Sequence, residues 1–196
     1  MSRILYERTA EIHAELEDEH RFGALSNPAS SEIRFLEAYA RMTASMLIIE
    51  RSIADFDLNG LTEVQSIQNH TSLLETDLKC LAEAGIGYES ENHRNFLKSD
   101  HEALGALWCI LGARKGAKVI RAALQKRRSP IPETYIQSLL ARADLPSKIG
   151  KPFSDPVECL HRQEINLTDV IEGAQKTFSV FLSLMPLTSE VQHKYG

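Results

Sequence analysis

Residues Leu107–Ile120 read LWCILGARKGAKVI, an apolar run that places two glycines four positions apart. At 100° per residue, Gly112 and Gly116 project from a helix within about 20° of Gly105, so three glycines share one face. Each glycine inside a helix costs roughly 1 kcal/mol relative to alanine. A helix that carries three of them needs a compensating interaction on that face.

Two kinds of interaction can compensate. Helix backbones approach closely where no Cβ separates them, so the glycines can serve packing against a second helix. Alternatively, a flat ligand lies directly against the exposed backbone. The spacing alone favours packing, and a ligand needs support from a second feature. On the opposite side of the helix, Arg114, Lys118 and Arg121 are expected to face solvent.

Helical periodicity runs through almost the whole chain, and strand-like alternation is scarce. Helices are predicted at about residues 2–20, from Ser30 or Ser31 to about 56, from Thr62 to Gly85, at about 90–128, from about 132 to 143, and in a last segment up to about 185. Residues 146–156 are a predicted loop, rich in proline and glycine. The predicted fold is therefore all-α, a compact single-domain bundle of six or seven helices over residues 1–196.

Composition excludes several classes of protein. With 196 residues and 43% hydrophobic content, the chain can bury one sizeable core. A net charge of −5 argues against a nucleic-acid partner, and the longest nearly uncharged apolar run, Ala103–Ala113, is too short to span a membrane. Three widely separated cysteines and the lack of a secretory signal indicate a reducing, cytoplasmic location. The oligomeric state is left open.

A histidine on the first helix supplies the second feature. His13 borders the apolar stripe of Leu5, Ile12 and Leu16, on the side of Tyr6. A histidine at such a border is usually structural, but neutral imidazole is also a common protein ligand of haem iron. A histidine on one helix and a glycine face on another would together form a slot for a metalloporphyrin.

Three segments resemble haem oxygenases, especially the bacterial members. ERTAEIHAELE at Glu7–Glu17 resembles the family's first helix, and LGALWCILGARKGAKVI at Leu104–Ile120 resembles its distal helix. EGAQKTFSVF at Glu172–Phe181 is similar to its last helix, and the order and spacing agree over nearly the whole chain.

The resemblance implies a fold of the haem oxygenase type and a function. His13 would be the iron ligand, and Gly112 and Gly116 would lie over the haem and leave room for O2. Trp108, Ala113 and Ala117 occupy neighbouring haem-contact positions. Family members use haem as both cofactor and substrate. They cleave it with O2 and electrons from an external donor to biliverdin, CO and iron.

The chain departs from the family pattern beside the glycines. Ala117 replaces the second of two adjacent glycines, and Ala113 stands where Ser or Asp is usual. Leu111 replaces an acidic residue, and Trp108 replaces a tyrosine. These changes preserve the groove better than they preserve a network for proton delivery.

The run Arg114–Arg128 carries seven cations and no acid. It is interpreted either as a solvated helix face or as a docking surface for an acidic electron donor such as a ferredoxin, a flavodoxin or a reductase. Haem propionates also need cations, and Lys176 and Arg3 are candidates.

Other functions remain open at this point. One is a non-catalytic haem carrier or sensor of the same fold. Another is a carboxylate-bridged di-metal oxidase, for which the chain offers two Glu-x-x-His pairs and two further acids. These residues are Glu17 with His20, Glu158 with His161, Glu50 and Glu75. A thiaminase-like relative would need a nucleophilic cysteine beside a base, and none of the three cysteines has an evident one.

Overall fold

The computed structural model describes residues 2–58, 62–87, 96–145 and 165–184. Within these ranges the chain forms seven α-helices and no strand, so the all-α prediction is confirmed. The helices are α1 Ser2–Leu16, the one-turn α2 Ala24–Ser26, α3 Glu32–Ala54, α4 Thr62–Glu83, α5 Asp100–Leu124, α6 Gln137–Asp144 and α7 Leu167–Ser183. A π-helical turn, Glu19–Gly23, precedes α2, and a 3₁₀ turn, Glu133–Tyr135, precedes α6. The predicted loop at 146–156 lies outside the described residues.

Local capping explains where several helices begin and end. The Ser31 hydroxyl accepts a hydrogen bond from the backbone N–H of Arg34 at the start of α3, and Ser99 caps α5 in the same way. At the end of α4, Gly85 has a positive φ of 81°. The Ile86 N–H then bonds the Leu81 carbonyl, which makes the Schellman motif that glycine permits.

Two boundaries differ from the sequence prediction. The first helix ends at Leu16 instead of near residue 20. The chain turns at residues 17–18, and the π-helical turn that follows contains a kink at Arg21 (φ −105°, ψ −106°). The long helix α5 begins at Asp100 and ends at Leu124, which is shorter at both ends than the predicted 90–128. Periodicity extends beyond a helix wherever flanking loop residues also bury apolar side chains, as Leu97 does here.

The core consists of two apolar clusters that α5 connects. The first half of α5 contributes Leu107 and Ile110 to a cluster shared with α1, α3 and α7. Its second half contributes Ala117 and Ile120 to a cluster shared with α2, the start of α3 and α6. No helix within the described ranges is long and apolar enough to cross a membrane.

A buried polar network fastens α3, α4 and α6 together. Asp77 of α4 accepts hydrogen bonds from the Tyr39 hydroxyl (2.6 Å) and from the backbone N–H groups of Gln137 and Ser138 (2.9 Å each), so it caps the start of α6. Burial raises the pKa of Asp77, against the lowering effect of these bonds. One turn further along α6, Arg142 pairs with Glu50 of α3.

Candidate functional site

The three aligned glycines of α5 have two different environments. A Cβ added to Gly105 would lie 2.0 Å from the Val170 carbonyl oxygen and 2.8 Å from the Ala174 nitrogen, both on the α7 backbone. Gly173 of α7 faces the same crossing, where its added Cβ would lie 2.0 Å from the Glu102 carbonyl oxygen. Gly105 therefore serves close helix packing, which is the first of the two interactions considered from the sequence.

Gly112 and Gly116 are open. No atom lies within 4 Å of a Cβ added at either position, and both residues are exposed. The exposed residues Lys115 and Val119 lie on the same side of α5, so this side of the helix is the surface of the protein between Gly112 and Val119. This surface, made by Gly112, Gly116 and Val119, is called the glycine face below.

The predicted solvent side of α5 is corrected by this arrangement. Arg114, Lys118 and Arg121 are half-buried, not fully exposed, and Arg121 pairs with Asp144 of α6. The reason is that the second half of α5 packs against α6 on the side opposite to the glycines. Long aliphatic stems cover the core there while their charged ends reach acids or solvent.

His13 lies on α1 with 49% of its side chain exposed. Its ring meets Phe178 of α7 edge to face, with the ring centres 5.7 Å apart and the planes at 69°. The Glu17 carboxylate, one turn further along α1, lies 3.5 Å from Nδ1. An acceptor on that side favours a proton on Nδ1 and leaves Nε2 as the nitrogen available to a ligand.

Aromatic and apolar side chains lie between His13 and the first half of α5. Phe178 belongs to the same core cluster as Cys109 and Leu111 of α5. Phe181, one turn later on α7, meets Phe22 edge to face at 6.1 Å. The side chains between His13 and the first half of α5 are thus largely apolar.

The other predicted contact residues of α5 differ in placement. Trp108 and Ala113 are half-buried and pack against the first cluster. Ala117 is 3% exposed and belongs to the second cluster, among Leu25, Phe35 and Ile120. Ala117 therefore faces the core and not the glycine face, because one residue step turns its Cβ about 100° away from Gly116.

The two candidates for binding propionates are already paired. Lys176 Nζ lies 2.7 Å from Glu102 Oε2 and 2.8 Å from Glu172 Oε1. Arg3 bonds Glu7 on its own helix at 2.9 Å. Neither cation is placed as a dedicated partner for a carboxylate ligand.

The di-metal alternative gains no support from the described residues. Glu50 pairs with Arg142 and Glu75 pairs with Arg51, so both carboxylates are directed at guanidinium groups. Within the described part of the chain, no group of three or more His, Cys, Asp or Glu side chains is placed to hold a metal ion. Glu158 and His161 lie outside the described residues.

The cysteines in the described ranges have ordinary packing roles. Cys109 is buried, its thiol donates to the Ala174 carbonyl at 3.7 Å, and burial raises its pKa. A thiol held neutral in this way is a poor nucleophile. Cys80 is half-buried, and Cys159 lies outside the described residues.

Sequence reasoning missed two residues of this region. Phe178 lies in the segment similar to the last helix of haem oxygenases and received no role of its own, yet its ring is the direct neighbour of His13. Glu102 was not singled out, although it is a buried acid at the α5–α7 crossing. The Ser99-x-x-Glu102 spacing of a capping box was the available signal for Glu102.

No family model, curated protein or solved structure matches this chain. The function is therefore inferred from the fold and from the geometry around His13 and the glycine face.

Proposed function

We propose that this chain is a cytoplasmic haem oxygenase-like protein. It binds haem between α1 and the glycine face of α5, and it cleaves the haem with O2 and external electrons to biliverdin, CO and iron. The main support for the proposal is that the three aligned glycines of α5 have different surroundings. Gly105 is filled by α7, whereas Gly112 and Gly116 have open space where side chains would fit.

The open glycines are difficult to explain by helix packing. Each one costs roughly 1 kcal/mol of helix propensity, and no described neighbour occupies the space that the missing side chain leaves. A flat ligand that lies against the helix backbone needs that space. Alanine or any larger residue at either position would project into it.

His13 fits the role of iron ligand. Its imidazole is accessible, its Nδ1 side is turned towards Glu17, and Phe178 supports the ring edge. Carboxylates that hydrogen-bond the second nitrogen of a ligating histidine fix its orientation and raise its basicity. His13 Nε2 would therefore hold the iron, with Glu17 and Phe178 fixing the direction of the ring.

The other residues around the site would contact the haem and shield it from water. The backbone at Gly112 and Gly116 would cover the opposite face of the ligand and leave space for a diatomic molecule beside it. Trp108, Ala113 and the phenylalanines of α7 would keep water away from the apolar ring. Bound haem would supply the redox chemistry, and the chain would supply position and exclusion.

A non-catalytic haem carrier or sensor is the second candidate. It is favoured by the composition of α5 next to the glycines, where residues 103–113 contain no charged, hydroxyl or amide side chain. Oxygen activation at haem usually relies on hydrogen-bond donors or ordered water near the oxygen. Ala113 supplies neither, so the two candidates differ in turnover and not in binding.

The electron donor would be an acidic protein such as a ferredoxin, a flavodoxin or a reductase. Exposed Lys115, Lys126 and Arg128 form the accessible part of the basic run. Lys115 directly precedes Gly116, so an acidic partner attracted there would arrive beside the proposed haem edge. Arg121 is occupied by Asp144 and contributes less.

Haemin titration tests the ligand. The wild type is expected to give a saturable Soret band, and His13→Ala is expected to weaken binding at least about tenfold and to change the spectrum, because the iron loses its protein nitrogen. His101→Ala, on the first turn of α5, is the matched control and should match the wild type. Equal affinity and spectra for His13→Ala and the wild type would remove His13 as the ligand. Pigment formation after reductant and O2 are added separates the oxygenase from the carrier.

Filling the glycine face tests its role. Gly112→Leu is expected to fold with equal or slightly higher stability, by up to about 1 kcal/mol, because nothing occupies the space and leucine favours a helix. Haemin binding should nevertheless be lost. Ala122→Leu, an exposed position further along α5, controls for added apolar surface. If Gly112→Leu bound haemin like the wild type, the glycine face would not be the site.

A further inference from the structure

At the point of closest approach, the backbones of α5 and α7 meet with no side chain between them. At the contact point Gly105 meets the α7 backbone and Gly173 meets the α5 backbone. Interlocking side chains normally set the angle and register of two packed helices. Two glycines allow closer approach, but by themselves they give little resistance to rotation or sliding about the contact.

An ion pair stands at this crossing. Glu102 is 5% exposed, and its Oε2 accepts from Lys176 Nζ at 2.7 Å and from the Lys98 backbone N–H at 3.0 Å. Lys176 also meets Glu172 of its own helix at 2.8 Å. The pair therefore joins the first turn of α5 to α7, one turn beyond Gly173.

Helix α7 is also the support of α1. Gln175 Nε2 donates to the Arg8 carbonyl of α1 at 3.3 Å, and Phe178 contacts the His13 ring. Helix α1 packs far more extensively against α7 than against α5. The orientation of α7 on α5 therefore determines where His13 lies relative to the glycine face.

We propose that the Glu102–Lys176 pair is a positioning device that fixes the angle of α7 on α5 and thereby the width of the slot between His13 and the glycine face. The proposal rests on the haem-binding function proposed above. Phe178 lies about 7.5 Å along α7 from Gly173, so a rotation of about 10° at the crossing moves it by about 1.3 Å. Ligand sites tolerate displacements of only about 0.5 Å.

Haemin titration of variants tests the proposal in the complex. Lys176→Met and Glu102→Gln, the latter of which keeps an acceptor for the Lys98 N–H, are each expected to weaken haemin binding about tenfold and to alter the Soret band. Lys176→Arg keeps the positive charge and should retain the haemin affinity and the Soret band of the wild type. Arg51→Met removes an inter-helix ion pair elsewhere and should change nothing. In a His13→Ala background, Lys176→Met should cause no further loss, because the pair acts through His13; additive losses would overturn the proposal.

The ligand-free protein provides an independent readout. The His13 ring protons lie against the edge of Phe178, so their chemical shifts in a histidine-selective NMR spectrum report the α1–α7 geometry. Lys176→Met should move these chemical shifts, whereas Lys176→Arg should leave them at the wild-type values. Unchanged shifts in Lys176→Met would overturn the positioning role. If the wild type bound no haemin while Lys176→Met moved the shifts, the haem function would fall and the helix-positioning role of the pair would stand.

Discussion

Gly105→Ala is expected to destabilise the protein by about 3 kcal/mol or more, which lowers the melting temperature by roughly 6–12 °C for a chain of this length. The new methyl would lie 2.0 Å from the Val170 carbonyl oxygen, and that neighbour is backbone that cannot rotate away. The two helices must separate, which opens contacts along the most extensive helix interface of the fold. Gly173→Ala should have a comparable effect, since its methyl would meet the Glu102 backbone at the same distance.

Gly112→Ala is the matched control on the same helix face. Its methyl meets no atom within 4 Å, so the variant should gain the helix propensity of alanine, about 1 kcal/mol, and melt roughly 2–4 °C higher. Thermal and urea unfolding of the three variants measure the contrast. Similar melting temperatures for Gly105→Ala and Gly112→Ala would show that the α5–α7 backbones are not in contact.

This contrast also defines what the sequence could predict about the glycines. Periodicity placed Gly105, Gly112 and Gly116 on one face, because helix geometry is local. It could not show that one of them meets α7 and two meet solvent, since that depends on where another helix crosses. Both compensating interactions considered from the sequence were reasonable, and the structure assigns helix packing to Gly105.

The charged residues of α5 illustrate a second limit. Arg114, Lys118 and Arg121 were predicted to face solvent because cations opposite a glycine groove suggest an outer surface. Their half-burial follows from α6, a short helix whose packing position periodicity does not reveal. The exposed side of α5 is instead the side of Gly112 and Gly116, which makes those glycines accessible to a ligand.

The helices could be predicted because they depend on residues close in sequence, whereas the buried polar network of α3, α4 and α6 depends on residues far apart. Ser31, Ser99 and Gly85 act through bonds to residues close in sequence, so their capping roles are visible in the sequence itself. Glu50 and Arg142 are 92 positions apart, and Tyr39 and Asp77 are 38 apart. Such pairs become visible only when the packing of α3, α4 and α6 is known.

Arg142→Met is the second substitution expected to have a large effect. Glu50 is 1% exposed and its Oε1 lies 2.7 Å from Arg142 Nη2, so removal of the guanidinium leaves a buried carboxylate without its main counter-charge. Breaking one partner of a buried ion pair costs about 3–5 kcal/mol, which corresponds to a decrease of roughly 10 °C in melting temperature. Arg51→Met, which breaks an exposed pair with Glu75, should cost at most about 1 kcal/mol.

The pH dependence identifies Glu50 as the cause of that loss. Burial raises the pKa of Glu50, and Arg142 is the chief group that lowers it, with smaller contributions from His70 and Thr71. In Arg142→Met the folded-state pKa of Glu50 therefore lies further above its ordinary value of 4.5. A group with a raised folded-state pKa is penalised most at high pH, and the penalty falls as pH decreases through the raised folded-state pKa towards that ordinary value. The stability deficit of Arg142→Met should narrow accordingly between pH 7 and about pH 5.

A double substitution separates the charge effect from lost packing. Glu50→Gln combined with Arg142→Met removes the buried charge together with its partner, so its stability relative to the wild type should not fall as pH rises from 5 to 7, and at pH 7 it should be more stable than Arg142→Met alone. Urea unfolding at pH 7 and pH 5 for both variants measures this. A deficit in Arg142→Met that stays constant over this range would mean that the loss comes from the packing of the aliphatic stem of Arg142 and not from the uncompensated buried charge of Glu50, because packing does not titrate.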